Sequence, residues 1–75
     1  MYRIEITLTS EKEVMVRDLA EIRVFDGEKQ IETVKPEQFF NFSWLHGRRY
    51  SFVGRQNASI INGEDIAYVS FFPER

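Results

Sequence analysis

The chain has no cysteine, a single histidine, two prolines and four glycines, and no apolar run of the length that crosses a bilayer. Without cysteine there is no disulfide framework, no thiolate metal ligand and no cysteine nucleophile. The one imidazole, His46, is flanked by Leu45, Gly47 and two arginines. A general base needs an orienting carboxylate and a nucleophile within reach, so His46 reads locally as a turn residue. Gly27, Gly47, Gly54 and Gly63 lack the spacing of a phosphate loop or a dinucleotide fingerprint. No serine sits in a nucleophile elbow. The carboxylate pairs Glu11/Glu13 and Glu64/Asp65 fall on charged turns without calcium-loop spacing. The expectation is a non-enzymatic protein that takes no metal and no cofactor. The opening MYRIEITLTS is broken by Arg3 and Glu5, which suits neither a signal peptide nor a membrane span, so a cytoplasmic protein is expected.

Seventy-five residues make one domain, residues 1–75. A chain this short buries only about 60 to 65% of its unfolded surface, so its stability margin is small and oligomerisation would help it. Hydrophobic residues at 43% and charged residues at 29% are ordinary for a folded globule. The net charge of −2 is unevenly spread. Residues 1–37 carry six Lys/Arg against nine Asp/Glu, whereas residues 38–63 carry Arg48, Arg49 and Arg55 and no acid. Residues 64–75 carry Arg75 against Glu64, Asp65 and Glu74. On folding, the three central arginines are expected to neutralise nearby glutamates.

Patterning indicates strands. Ile4, Ile6 and Leu8 alternate with Arg3, Glu5, Thr7 and Thr9, the period of a half-buried strand. Ser10-Glu11-Lys12-Glu13 has the form of a capping box, and Met15, Leu19 and Ile22 sit at helical spacing, so a helix near residues 11–22 is the alternative there. The β-branched Val14 and Val16 favour instead a turn at Glu11-Lys12, a short strand from Val14 to Arg17 and a bend at Asp18–Ala20. Asp26-Gly27 signals a two-residue hairpin turn, which in that register pairs Ile22 with Ile31. Pro36 interrupts the sheet and suits a one-turn helix. Asn62-Gly63 signals a last hairpin between Ile60-Ile61 and the strand Ile66–Phe72, in which Ile66, Tyr68 and Phe72 share one face. The fold class is therefore all-β, a small antiparallel barrel or strongly bent sheet of about five to six short strands, with α+β as the alternative if residues 11–22 are helical.

The stretch Phe39–Tyr50, FFNFSWLHGRRY, gathers aromatic rings and paired arginines. If Gly47 adopts a left-handed conformation and closes a loop Leu45-His46-Gly47, then Trp44 pairs with Arg48, Phe42 with Tyr50 and Phe40 with Phe52. Phe40, Phe42 and Phe52 then support the core, while Trp44, His46, Arg48, Arg49, Tyr50 and Arg55 are the candidate binding residues. The partner expected is a protein or a second copy of the chain, reached through this aromatic and arginine hairpin and the apolar C-terminal strand. Single-stranded nucleic acid, with Trp44 and Tyr50 stacking on bases and the arginines on phosphates, is the alternative. The small basic patch in an acidic chain makes it the weaker one. No membrane partner is expected.

Overall fold

The computed structural model describes residues 1–74, and Arg75, counted above among the charges, lies outside the described residues. The chain is all-β. Seven strands run in the order β1 (Tyr2–Leu8), β2 (Glu13–Val16), β3 (Glu21–Asp26), β4 (Lys29–Val34), β5 (Arg49–Val53), β6 (Ala58–Asn62) and β7 (Ile66–Pro73). Short 3-10 turns at Pro36–Asn41 and Gly63–Asp65 precede β5 and β7. The strands form two antiparallel sheets, ordered β2-β1-β7 and β4-β3-β5-β6, and do not close into a barrel. No helix among the described residues is long and apolar enough to cross a membrane.

The alternation in β1 does what its period demands: Ile4 and Ile6 are fully buried, with their polar neighbours turned outward. The helix near residues 11–22 does not form. Glu11 has φ 72°, outside the right-handed helical region, and β2 pairs with β1 through Ile4/Val16 and Ile6/Val14. That pairing buries Val16 and leaves Met15 exposed, where a helical face would have joined Met15 to Leu19 and Ile22. Two hydrogen bonds then stitch the sheets together at a corner: Leu19 N–H donates to Tyr2 O at 2.7 Å and Ala20 N–H to Val53 O at 2.8 Å.

The β3–β4 hairpin forms, with its turn one residue later than expected. Asp26 pairs with Lys29, so Gly27 and Glu28 are the central residues, and Gly27 takes φ +64° at the position where such a turn demands it. Between Val24/Glu32 and Phe25/Gln30 a bulge leaves Ile31 without a partner, and Ile22 faces Val34 in place of Ile31. One extra residue exchanges the faces of β4: Val34 enters the core and Ile31 is exposed.

The aromatic hairpin is the main correction. Pro36 starts a 3-10 turn that continues through Phe39 and Phe40, which buries Phe39 completely and leaves Phe40 67% exposed. No strand follows until Arg49, and Gly47 has no positive φ. Strand β5 already has both edges in use. Tyr50 lies between Val24 and Ile61, and Phe52 between Ile22 and Ser59, so neither can pair with Phe42 or Phe40. The last hairpin is likewise absent: β6 pairs with β5 and β7 with β1, and the Gly63–Asp65 turn carries the chain from one sheet to the other. A bulge at Ala67 sets Leu8 against Ile66 but Thr7 against Tyr68. Ile66 therefore joins the core side with Val69 and Phe71, leaving Tyr68 and Phe72 exposed. A single apolar core from both sheets, centred on Ile4, Ile6, Ile22, Phe39, Tyr50 and Phe52, fills the space between them.

Candidate functional site

The strand registers give the sandwich two ends. One carries the chain termini, the start of β3 and the end of β5; the other carries the Gly27 turn, the start of β5 and the end of β6. The segment Phe42–Arg48 reaches this second end without secondary structure and is held by four bonds, the first from Phe42 N–H to Phe39 O at 3.0 Å. Leu45 N–H donates to the buried Tyr50 hydroxyl at 2.8 Å, Arg48 N–H to Leu45 O at 3.3 Å, and Gly63 N–H to Arg48 O at 2.7 Å. Gly63 is needed here for proximity, since a Cβ on it would fall on the Leu45 carbonyl. Rings hold the rest of the segment. Phe42 stands edge-on to Tyr50 at 5.4 Å and to Phe52 at 6.1 Å, and stacks with Trp44 at 6.2 Å.

Beneath this segment is a cleft of about 320 Å³ with an apolar floor of Val24, Val34, Phe42 and Tyr50 and with Glu32 and Arg48 among its polar lining. Arg48 also lines a neighbouring groove of about 360 Å³, together with His46, Arg49, Asn62 and Glu64. The side chain of Arg49 lies over the Phe25 ring, 5.1 Å from its centroid.

The six predicted residues are thus divided. His46, Arg48 and Arg49 come together. Trp44 is half-buried and stacks on Phe42, and the pairing of its indole with Arg48 is absent. Tyr50, expected at the rim, is 1% exposed, because its ring belongs to the core and its hydroxyl serves Leu45. Arg55 sits at the terminal end, beside Tyr2, Asp18 and Pro36. Arg49 opens the five-residue strand β5 and Arg55 lies two residues beyond its far end, so the basic patch drawn in sequence is two separate sites in space. Neither Arg48, Arg49 nor Arg55 forms a salt bridge among the described residues, contrary to the expected neutralisation. The ion pairs are Arg3 with Glu5 and Glu74, Arg17 with Glu74, and Glu21 with Arg23 and Lys35.

One feature went unread in the sequence, a seam of rings at the β7 side, where Phe71 stacks on Phe39 at 5.2 Å and meets Phe40 and Phe42 edge-on, each at 6.3 Å. The apolar C-terminal strand expected to meet a partner is β7, whose outer edge receives no backbone hydrogen bond among the described residues. Its signal was present in the uncharged run Ile66–Pro73. Of the other three edges, β2 is four residues long and begins at Glu13, β4 carries Lys29 and Glu32, and β6 is uncharged like β7 but has five residues against eight. No cluster of three or more His, Asp or Glu side chains among the described residues is arranged to hold a metal ion. No protein family model, curated protein or solved structure matches this chain.

Proposed function

We propose that the domain is a non-enzymatic protein-binding module that recognises an acidic segment of its partner at the end formed by Phe42–Arg49. The observation that carries this reading is that Arg48 and Arg49, consecutive in the chain, have no salt-bridge partner among the described residues of a chain with net charge −2; Arg3, Arg17, Arg23 and Lys35 are paired, and the other unpaired cations, Lys12, Lys29 and Arg55, stand singly. Arg48 lines a cleft with an apolar floor and shares the neighbouring groove with Arg49, which suits an apolar side chain flanked by carboxylates, and arginines of this kind are favoured anchors at interfaces. The three backbone and hydroxyl bonds that hold Leu45 and Arg48 support the reading, since a preformed loop loses less entropy on binding.

Selection from a random displayed-peptide library tests it. The wild-type domain is expected to enrich peptides in which Asp or Glu flanks an apolar residue, and Arg48→Ala/Arg49→Ala is expected to lose them while folding normally. Peptides without acidic bias, or peptides that bind the double variant equally well, would overturn the assignment.

A further inference from the structure

We infer that two copies of this chain pair through the free edge of β7, antiparallel about a two-fold axis at Ser70, so that two three-stranded sheets become one of six strands. The surface is separate from the arginine end, and the inference stands apart from the function proposed above.

The pairing of β7 with β1 decides which of its backbone groups point outward. Glu74 N–H donates to Met1 O at 2.7 Å and the Met1 ammonium to Glu74 O at 3.2 Å, so these two residues exchange both bonds. Antiparallel pairs alternate between bonded and non-bonded, and the register runs unbroken through Arg3/Phe72, Glu5/Ser70 and Thr7/Tyr68. Tyr68, Ser70 and Phe72 therefore turn their N–H and C=O towards β1, whereas Val69 and Phe71 turn theirs to the free edge. The far side of β1 agrees with this phase, since Tyr2 O accepts from Leu19 and Leu8 N–H donates to Lys12 O. Pro73 offers the free edge a carbonyl only.

Two outward residues leave one good symmetric register. An axis at Ser70 sets Val69 opposite Phe71 of the second copy as a bonded pair, twice, for four hydrogen bonds in all. An axis at Val69 would set Phe71 against Ala67 in the bulge, and an axis at Phe71 would set Val69 against Pro73, which has no N–H to give. With the axis at Ser70, Tyr68 (57% exposed) meets Phe72 (37% exposed) of the second copy on the outer face, where Arg3 already lies over the Phe72 ring at 4.6 Å.

The occupant is a second copy because the edge is its own complement in hydrogen bonding, in ring pairing and in charge. No charged residue lies between Ile66 and Pro73. The charge nearest the axis on the outer face is Glu5, which neighbours Ser70 and has Arg3 Nε at 3.2 Å. Across the pairing the two Glu5 side chains stand three strand spacings apart, about 14 Å, against a screening length of about 8 Å in physiological salt. Like charges therefore do not oppose the association.

The absence of cysteine makes the test clean. In the proposed register the two Ser70 residues form a non-bonded pair with Cα atoms about 4.5 Å apart, within disulfide range. Ser70→Cys is expected to form a disulfide-linked dimer in a glutathione buffer at least about tenfold faster than two controls. One control is Ile60→Cys on β6, and the other is Tyr68→Cys, which lies on the same strand but about 14 Å from its copy in this register. Should Ser70→Cys fail to fold, Tyr68→Cys/Phe72→Cys brings thiols together in the same register and is expected to link as readily. Arg48→Ala/Arg49→Ala carrying Ser70→Cys should link at the same rate, which keeps this result separate from any failure at the arginine end. Equal linking rates for Ser70→Cys and the controls would overturn the pairing and leave the edge to a strand of an unlike protein. A wild-type chain that sediments as a monomer at several hundred micromolar would also overturn it.

Discussion

At the terminal end of the sandwich, Arg3 and Arg17 share the Glu74 carboxylate, and Glu21 accepts from both Arg23 and Lys35. At the other end, Arg48 and Arg49 stand beside His46 with no salt bridge among the described residues, and Arg49 rests on the Phe25 ring instead. Both ends draw on the same residue types, so composition does not separate them. Position does: at the terminal end pleat and register hold opposite charges within reach, while Arg48 closes a loop that the core grips from below and Arg49 opens β5 opposite Phe25 and Asn62, neither of them acidic. Exposed pairs contribute little to stability. The difference is therefore one of availability: the charges at the terminal end have intramolecular partners and Arg48 and Arg49 have none among the described residues, which is what the proposed recognition of an acidic segment rests on.

The harshest way to break this contrast is to remove the support under the loop. Tyr50→Ala deletes a fully buried ring and the acceptor of Leu45 N–H, and should cost roughly 3 to 5 kcal/mol in denaturant unfolding. Arg48→Ala/Arg49→Ala, a change of two charges where the same loop enters β5, should cost about 0 to 1 kcal/mol. If the arginine variant proves the more damaging of the two, the loop end is held by charge after all and the contrast fails.

A finer cut moves the loop without emptying the core. Gly63→Ala places a methyl group on the Leu45 carbonyl and strains the bond from Gly63 N–H to Arg48 O. Overpacking of this kind costs about 1 to 3 kcal/mol. The expected outcome is that amide exchange rises at Leu45 and Arg48, while β1 and β2 at the terminal end keep their protection. Uniform loss of protection over the whole chain would show that the loop is not a separable unit.

The role of Gly63 also shows where a sequence stops speaking. Asn62-Gly63 has the local form of a hairpin turn, yet the glycine is there because the Leu45 carbonyl lies against it, a contact made across 18 positions of sequence. Local signals served well where the partner was also local: the alternation of β1, the turn after it into β2, and the positive φ of Gly27. They failed where the partner was distant. Tyr50 could be matched to Phe42 by counting across Gly47, but its true neighbours are Val24 and Ile61, and nothing near Tyr50 in sequence announces β3. The bulges at Ile31 and Ala67 each exchange the faces of a strand by one residue, and the apolar pattern alone is compatible with either phase. Of the candidate site, the adjacency of His46, Arg48 and Arg49 was legible because they are adjacent in sequence. The separation of Arg55 and the burial of Tyr50 depend on long-range pairing.

The smallest effect lies at the terminal end and sharpens the contrast through pH. The Arg23 side chain, 2.6 Å from Glu21, holds the Glu21 carboxyl below the ordinary glutamate range, and Lys35 at 2.9 Å adds to this. With the folded value depressed, the unfolded chain binds more protons than the folded one across the interval between the two values, so stability rises with pH there. The contribution is in full force above the unfolded glutamate value of about 4.3, and it is lost as pH falls through the folded one. Glu21→Gln should therefore flatten the acid limb of a plot of denaturant midpoint against pH, with its largest difference from wild type near neutrality and convergence at the acid extreme. Because Arg23 and Lys35 are largely exposed, the difference should also shrink as salt is added. The arginine end, having no carboxylate bound to it, predicts the opposite control: Arg48→Ala/Arg49→Ala should leave the acid limb as it is in wild type. An acid limb that changes with the arginines and not with Glu21 would mean that the paired and unpaired ends have been assigned the wrong way round.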